Sequence, residues 1–312
     1  MSETSLSPEL SARLGEAANH ALDASIDTYL VRRQRERERR SAEQRKVVEA
    51  LLRLSIPDHS QDLSSTASSL EQAISELRSG GLSPQPELSH SPTAQAAALR
   101  PYRIPAAELN RVPQAIPEDA TVQILGPPYV DKWTSQNFSG NAQGQVAADP
   151  QTGDISFWHA AANGSATGGA GVWAQFIPDG GPRLVQVRSY LPYSYLWNDN
   201  SQYGYTAYNH AEFGVYVLSW DLRGNNQRVE QNFSYQVWSN STGWWDNAGD
   251  SGYGYAYLWG HEPPYFEASH DRIYRAAIFC SGSIQASGGF FGQALSGGQI
   301  SGKVGFVVIG EQ

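Results

Sequence analysis

Four runs in the second half of the chain, 171–176, 184–188, 213–220 and 228–238, alternate apolar and polar residues. In the last of them Val229, Phe233, Tyr235 and Val237 fall on one side and Arg228, Glu230, Asn232, Ser234 and Gln236 on the other. A period of two marks a strand with one buried and one wet face. Strand candidates span 120–125, 134–147, 154–160, 169–177, 183–191, 203–208, 212–221, 227–238, 253–259, 272–280, 283–290 and 303–309, with Gly, Asn, Asp and Ser clusters between them. Some of these must merge or fail. With no helical period between them, the pattern predicts an antiparallel β-sandwich, jelly-roll-like, over 119–312. The final run is expected inside a sheet, close to the last residue.

The first part of the chain has the other period. A long helix is predicted over 7–56, with Ser7 as cap, Pro8 as first helical residue and Glu9 at the positive end of the dipole. Leu10, Leu14, Ala17 and Ala21 follow a 4-3-4 spacing, and Leu22, Ile26 and Tyr29 add a neighbouring seam. Between Arg32 and Lys46 only Ala42 is apolar, and the interleaved Arg and Glu residues suit a solvated helix. Apolar spacing returns at Val47, Val48, Leu51, Leu52 and Leu54, and Pro57 ends it. A shorter helix follows over 64–79, where Leu63, Ala67, Leu70, Ile74 and Leu77 keep a heptad and Gly80 and Gly81 supply the stop.

Such narrow stripes require a partner. Either the two helices fold back as a hairpin or they pair between chains, and the polar centre favours association, with Leu10, Leu14, Ala17, Ala21, Leu63, Leu70, Ile74 and Leu77 as the contacts. Residues 82–118 hold prolines at 84, 86, 92, 101, 105, 113 and 117 and read as a linker or extended arm. Three regions follow: a helical coiled-coil assembly region at 1–81, the arm at 82–118 and the β domain at 119–312.

Charge narrows the partners. Residues 113–312 carry 8 basic against 16 acidic groups, within a chain of formal net charge −9. An acidic domain repels phosphate backbones and anionic membrane surfaces, so no nucleic-acid partner is expected for it. No window reaches the length of a membrane span, and the opening residues have neither the charged nor the apolar region of a cleaved signal, which predicts synthesis in the cytoplasm. Cys280 is the single cysteine, set in the apolar run 276–280, and reads as a buried thiol.

Catalytic chemistry has little support. His261, Glu262, His270 and Asp271 fit no zinc spacing, and neither a metal nor a cofactor is expected. Glu212, Glu230 and Glu267 are the acids from which a glycosidase pair would have to come. The stronger signal is aromatic. Trp197, Asn198 and Asp199, then Trp244, Trp245, Asp246 and Asn247, set flat rings beside amides and carboxylates, and Tyr253, Tyr255 and Tyr257 share one face of a strand. Sugars use this combination, since their C–H faces stack on rings while hydroxyls pair with short polar groups. Subunit interfaces favour the same rings. The sequence reading is therefore a non-enzymatic homo-oligomer whose β head serves self-association or attachment. A carbohydrate-binding, lectin-like module is the first alternative and a glycoside hydrolase or lyase the second.

Overall fold

The computed structural model describes residues 6–55, 121–178, 181–201, 205–243, 246–258, 265–289 and 292–311. The predicted helix at 64–79, with Leu63, Leu70, Ile74 and Leu77, and the proline-rich arm lie outside them. Two compact units result, one of Met1–Ala24 with Pro92–Gln312, the other Ser25–Ser91. Among the described residues no helix is long and apolar enough to cross a membrane.

Helix α1 covers Pro8–Ser55. Its first turn is capped as the residue types require: Ser7 Oγ accepts from the Leu10 amide at 3.2 Å, and the Ser7 carbonyl accepts from Ser11 N at 2.9 Å. Within the first unit, Leu14, Ala18 and Leu22 form a buried row on this helix. Leu14, one of the four residues in this helix whose spacing suggests association between chains, is already sealed in the single chain, while Leu10, Ala17 and Ala21 are half-buried. The tight turn after β5 receives Leu10 and Leu14: a Cβ on Gly224, whose φ is +79°, would stand 2.6 Å from Leu10 Cδ1 and 3.5 Å from Leu14 Cδ2.

The β domain contains β1 (Thr121–Leu125), β2 (Asp131–Asp149), β3 (Asp154–Phe176), β4 (Arg183–Asn200), β5 (Thr206–Asp221), β6 (Arg228–Gly243), β7 (Asn247–Tyr257), β8 (Phe266–Ala268), β9 (Arg272–Ala286), β10 (Gly288–Gly289), β11 (Gly292–Gln293), β12 (Leu295–Lys303) and β13 (Phe306–Glu311). Apart from the β10–β11 hairpin, these form one hydrogen-bonded sheet of 11 strands, antiparallel throughout. The sheet folds over at β3. Up to Ala162 that strand pairs with β12, and from Gly164 it pairs with β9. The switch falls at Asn163, held at φ 60°, where β2 shifts register between Gly140 and Ala142. A left-handed residue opposite a bulge is how a strand turns between layers.

A sandwich-like arrangement follows, with β2–β3–β12–β4–β7 as one layer and β2–β3–β9–β5–β6 as the other. Tyr193 of β4 meets Phe213 of β5 with ring centroids 5.0 Å apart. Gln231 of β6 joins the layers, taking the Val187 amide at 3.2 Å and donating to the Val187 carbonyl at 3.0 Å. Each large apolar side chain buried in this core contributes about 1.5–3 kcal/mol. The last strand, β13, lies between β1 and β4, inside the sheet as its alternation predicts.

Three pairs of predicted segments merge: 154–160 with 169–177, 203–208 with 212–221, and 272–280 with 283–290 become β3, β5 and β9. Three strands are absent from the sequence reading: the short β8 and β11, and β12. β12 has the sequence LSGGQISGK, glycine-rich and weakly apolar, yet it is central, between β3 and β4. Its glycines answer to packing: a Cβ on Gly298 would stand 2.7 Å from Asn209 Oδ1, and one on Gly302 2.7 Å from Leu191 Cδ2.

Candidate functional site

Strand β4 ends on Trp197, Asn198, Asp199 and Asn200, and β7 opens on Asn247. Pairing sets Trp197 opposite Asp250, Asn198 opposite Gly249, Asp199 opposite Ala248 and Asn200 opposite Asn247. Two polar-aromatic stretches far apart in sequence thus become neighbouring strands, and the alternation of side chains divides them between two faces.

The inward face is closed by hydrogen bonds. Asp199 is fully buried. Its Oδ1 accepts from Ser296 Oγ at 2.6 Å and from Asn209 Nδ2 at 3.4 Å, and its Oδ2 accepts from Asn240 Nδ2 at 2.8 Å. Asn209 in turn accepts from Trp238 Nε1 at 2.8 Å and donates to the Gly297 carbonyl at 2.6 Å. Burial pushes the Asp199 carboxyl above its usual range, and the three donors pull it back part of the way. Asp199 is therefore not an open ligand contact, as its place in the Trp-Asn-Asp run suggested. It ties β4, β5, β6 and β12 together beneath the surface. Asp199→Ala is expected to cost about 1–3 kcal/mol, because it strands buried donors. Asp199→Asn, which keeps an acceptor oxygen, is expected to cost less, and urea midpoints for the two variants check the order.

Strand β7 uses its alternation to seat rings on one side and display them on the other. Gly252 and Gly254 face inward, where a Cβ on Gly254 would stand 2.8 Å from the Tyr193 hydroxyl and one on Gly252 3.2 Å from the Tyr195 ring. Tyr195 donates to Asp250 Oδ2 at 2.9 Å and stacks on Trp238 at 5.9 Å. Burial first, and then Asp250, push the Tyr195 phenol up. Trp197 is partly buried and packs against the core. Facing outward, Tyr253 is 62% exposed, and Tyr255 stacks on Tyr190 at 5.4 Å and 10°.

Cross-strand pairing extends that outer face over five strands, since directly opposed residues project to the same side. One ladder reads Gln145, Trp158, Gln299, Leu196 and Ser251, from β2 through β3, β12 and β4 to β7. The next reads Ala147, Ser156, Ser301, Ser194 and Tyr253, and on the other side lies Gln143, Ala160, Gly297, Asn198 and Gly249. Trp158, one strand in from the β2 edge, and Tyr253, on the β7 edge, therefore share an uncharged surface on which amides and hydroxyls alternate with small apolar residues and Leu196. Trp158 and Gln299 were missed from sequence. Trp158 was legible as the outward ring of a strand whose inward residues are Ile155 and Phe157, but Gln299 sits in the unrecognised β12.

Among the other predicted residues, Asn198, Asp246 and Asn247 are exposed, and the Asp246 carbonyl accepts from Ser201 N at 2.9 Å. Tyr257 occupies a β7 strand position; Trp244, Trp245, His261 and Glu262 lie outside the described residues. The three acids weighed for hydrolysis are not brought together. Glu212 is buried, 3.4 Å from His210 Nε2 and 3.2 Å from Ser281 Oγ, on the outward side of the β9–β5–β6 layer. Glu230 accepts from Ser219, which lies opposite the core residue Tyr274, and Glu267 stands on β8 opposite Leu184. Among the described residues no group of three His, Cys, Asp or Glu is placed to hold a metal ion. Cys280 is buried, and burial pushes its thiol up to about 12.

No protein-family model matches the chain, and no curated protein matches it. Solved structures with a partial likeness include a carbohydrate-binding module described as from the β-sandwich superfamily, at 12% identity and TM-score 0.19, over 53% of this chain and 54% of that one. Another is the C-terminal family 22 carbohydrate-binding module of Clostridium thermocellum Xyn10B, at 11% identity and TM-score 0.15, over 55% and 85% of the two chains. A third is the enzymatically active domain of bacteriophage CBA120 tailspike protein 4, at 14% identity and TM-score 0.17, over 57% and 19%. The chain spans about half the length of the first of these.

Proposed function

We propose that this protein is a non-catalytic glycan-binding protein and that the outer face of the β2–β3–β12–β4–β7 layer is its binding surface. The observation that carries the reading is the run of cross-strand ladders that sets Trp158 and Tyr253 three strands apart on one uncharged face, among Gln, Ser and Asn side chains. Exposed rings offer flat apolar area that costs little conformational entropy to order, and amides and hydroxyls can both donate to and accept from sugar hydroxyls. A glycan array with the full chain tests it. Binding is expected for the parent protein and is expected to fall at least tenfold in Trp158→Ala and in Tyr253→Ala, the first at a half-buried and the second at an exposed position. An array with no bound sugar, or one unchanged by either substitution, removes the reading.

Association between copies is a second reading, favoured by Ile124 on β1 and Leu184 on β4, which are 55% and 49% exposed. In this reading they are contacts of a homo-oligomer, and Leu10, Ala17 and Ala21 supply further apolar area. Light scattering over a range of concentrations is expected to give a multimer that Ile124→Lys and Leu184→Lys dissociate. A monomer mass at every concentration discards it.

A further inference from the structure

We infer that the ligand of this face is a neutral glycan of several sugar units, lying across the strands so that one chain touches Trp158 and Tyr253 together. The inference rests on the glycan reading of the same face and adds its size and charge class. Size follows from register. Trp158 and Tyr253 are separated by three strand spacings, from β3 to β12 to β4 to β7, and by two residues along the last strand. With about 4.8 Å between strands and 3.4 Å per residue, their backbones stand ~16 Å apart. A single sugar ring, no wider than the tyrosine ring it stacks on, cannot reach both. A chain of several units can, and it passes over the half-buried Gln299, Ser301 and Leu196 on the way.

Charge class follows from what the ladders contain. The fifteen positions of the three ladders hold no Lys, Arg, Asp or Glu. The nearest cation along β12, Lys303, is 3.6 Å from Asp154 Oδ1, so its charge already has a partner. Carboxylate or sulfate groups on a sugar call for donors fixed by charge, above all Arg. Between the rings the polar side chains are an amide and a hydroxyl, Gln299 and Ser301, beside the apolar Leu196; they donate and accept alike and so match hydroxyl groups, themselves both donor and acceptor. The chain's net charge of −9 repels polyanions further.

The test is calorimetric titration of the full chain with a neutral glucan, a xylan and a mannan, with polygalacturonate and a sulfated polymer, and with glucose, xylose and mannose. At least one neutral polymer is expected to bind at least 100-fold more tightly, per site, than its own monosaccharide. Trp158→Ala and Tyr253→Ala are each expected to reduce that preference at least tenfold. Circular dichroism and melting of both variants confirm that they are folded. Equal affinity for polymer and monosaccharide overturns the spanning arrangement, and equal or tighter binding of polygalacturonate or the sulfated polymer overturns the charge class. Both outcomes leave glycan recognition standing, whereas binding of no sugar at all removes the parent reading as well.

Discussion

Trp173→Ala is expected to destabilise the β domain by about 3–5 kcal/mol, the loss usual for a large aromatic removed from a closed site. Its indole is fully buried, and its Nε1 donates to Asn19 Oδ1 of the helix at 2.8 Å. This contact belongs to a row. Ser11, Gly15, Asn19 and Asp23 recur every four residues, next to the apolar row Leu10, Leu14, Ala18 and Leu22, and each meets a defined group on the sheet. The Ser11 carbonyl and hydroxyl accept from Arg275 Nη2 at 2.9 and 3.0 Å. At Gly15 a Cβ would stand 2.3 Å from Asp131 Oδ2, so the absent side chain is what admits the Asp131–Arg275 pair, itself 3.8 Å across. Asn19 Nδ2 donates to the Lys132 carbonyl at 3.3 Å, and Asp23 accepts from Trp133 Nε1 at 2.8 Å. Helix and sheet are thus matched group by group, and the helix start belongs to the same compact unit as the sheet.

Consequently the loss should appear in both elements. Urea unfolding followed by tryptophan fluorescence and by far-ultraviolet dichroism is expected to shift by the same amount. Trp173→Phe, which keeps one aromatic ring but loses the donor and part of the buried volume, is expected to cost about 1–3 kcal/mol, and less when Asn19→Ala is already present. An unchanged midpoint in Trp173→Ala, or additive losses in the double variant, defeats this account.

What could be read ahead of the structure followed from period. Alternation in 228–238 and 213–220 and the Ser7–Pro8 start each reflect local rules, so the existence of β6, β5 and the opening of α1 was accessible from residues alone; the wet faces were not, since 213–220 is buried throughout and Val229 and Tyr235 are exposed. The helix partner was not, because the residues that decide it are polar. Ser11, Asn19 and Asp23 look like a solvated stripe until Trp133, Trp173 and Arg275 appear opposite them, and those come from strands more than a hundred positions away. β12 escaped for a related reason: Gly298 and Gly302 are small because Asn209 and Leu191 approach from elsewhere, and no local signal shows such a need. At the candidate site, rings were found by counting aromatics, but alternation decides which of them face outward. It kept Tyr253, turned Trp197 and Asp199 inward, and added Trp158 from a strand with no polar-aromatic motif.

Acid is expected to unfold the domain through His159, and His159→Leu is expected to remove much of that sensitivity. His159 is fully buried on β3, stacked on Phe157 at 5.0 Å and edge-on to Phe138 at 6.1 Å. Neither ring nitrogen has a hydrogen-bond partner among the described residues. Burial alone lowers its pKa to about 3 from an ordinary 6.5. The unfolded chain therefore takes up a proton below pH 6.5 while the folded one stays neutral down to about 3. Stability from this group is complete above 6.5 and is lost as pH falls through that window, by roughly 5 kcal/mol in all and about 3 kcal/mol at pH 4.5. Asp199 acts with the opposite sign. Its raised pKa lets the folded state bind a proton first, so acid favours folding through this group from its folded pKa down to the usual carboxylate value of 3.8. Leucine is close to histidine in volume and carries no proton, so whatever packing it loses is lost equally at both pH values. The comparison to make is the difference in urea-derived stability between pH 7 and pH 4.5, which should shrink by about 2 kcal/mol or more in the variant. Equal differences in parent and variant would place the acid sensitivity elsewhere.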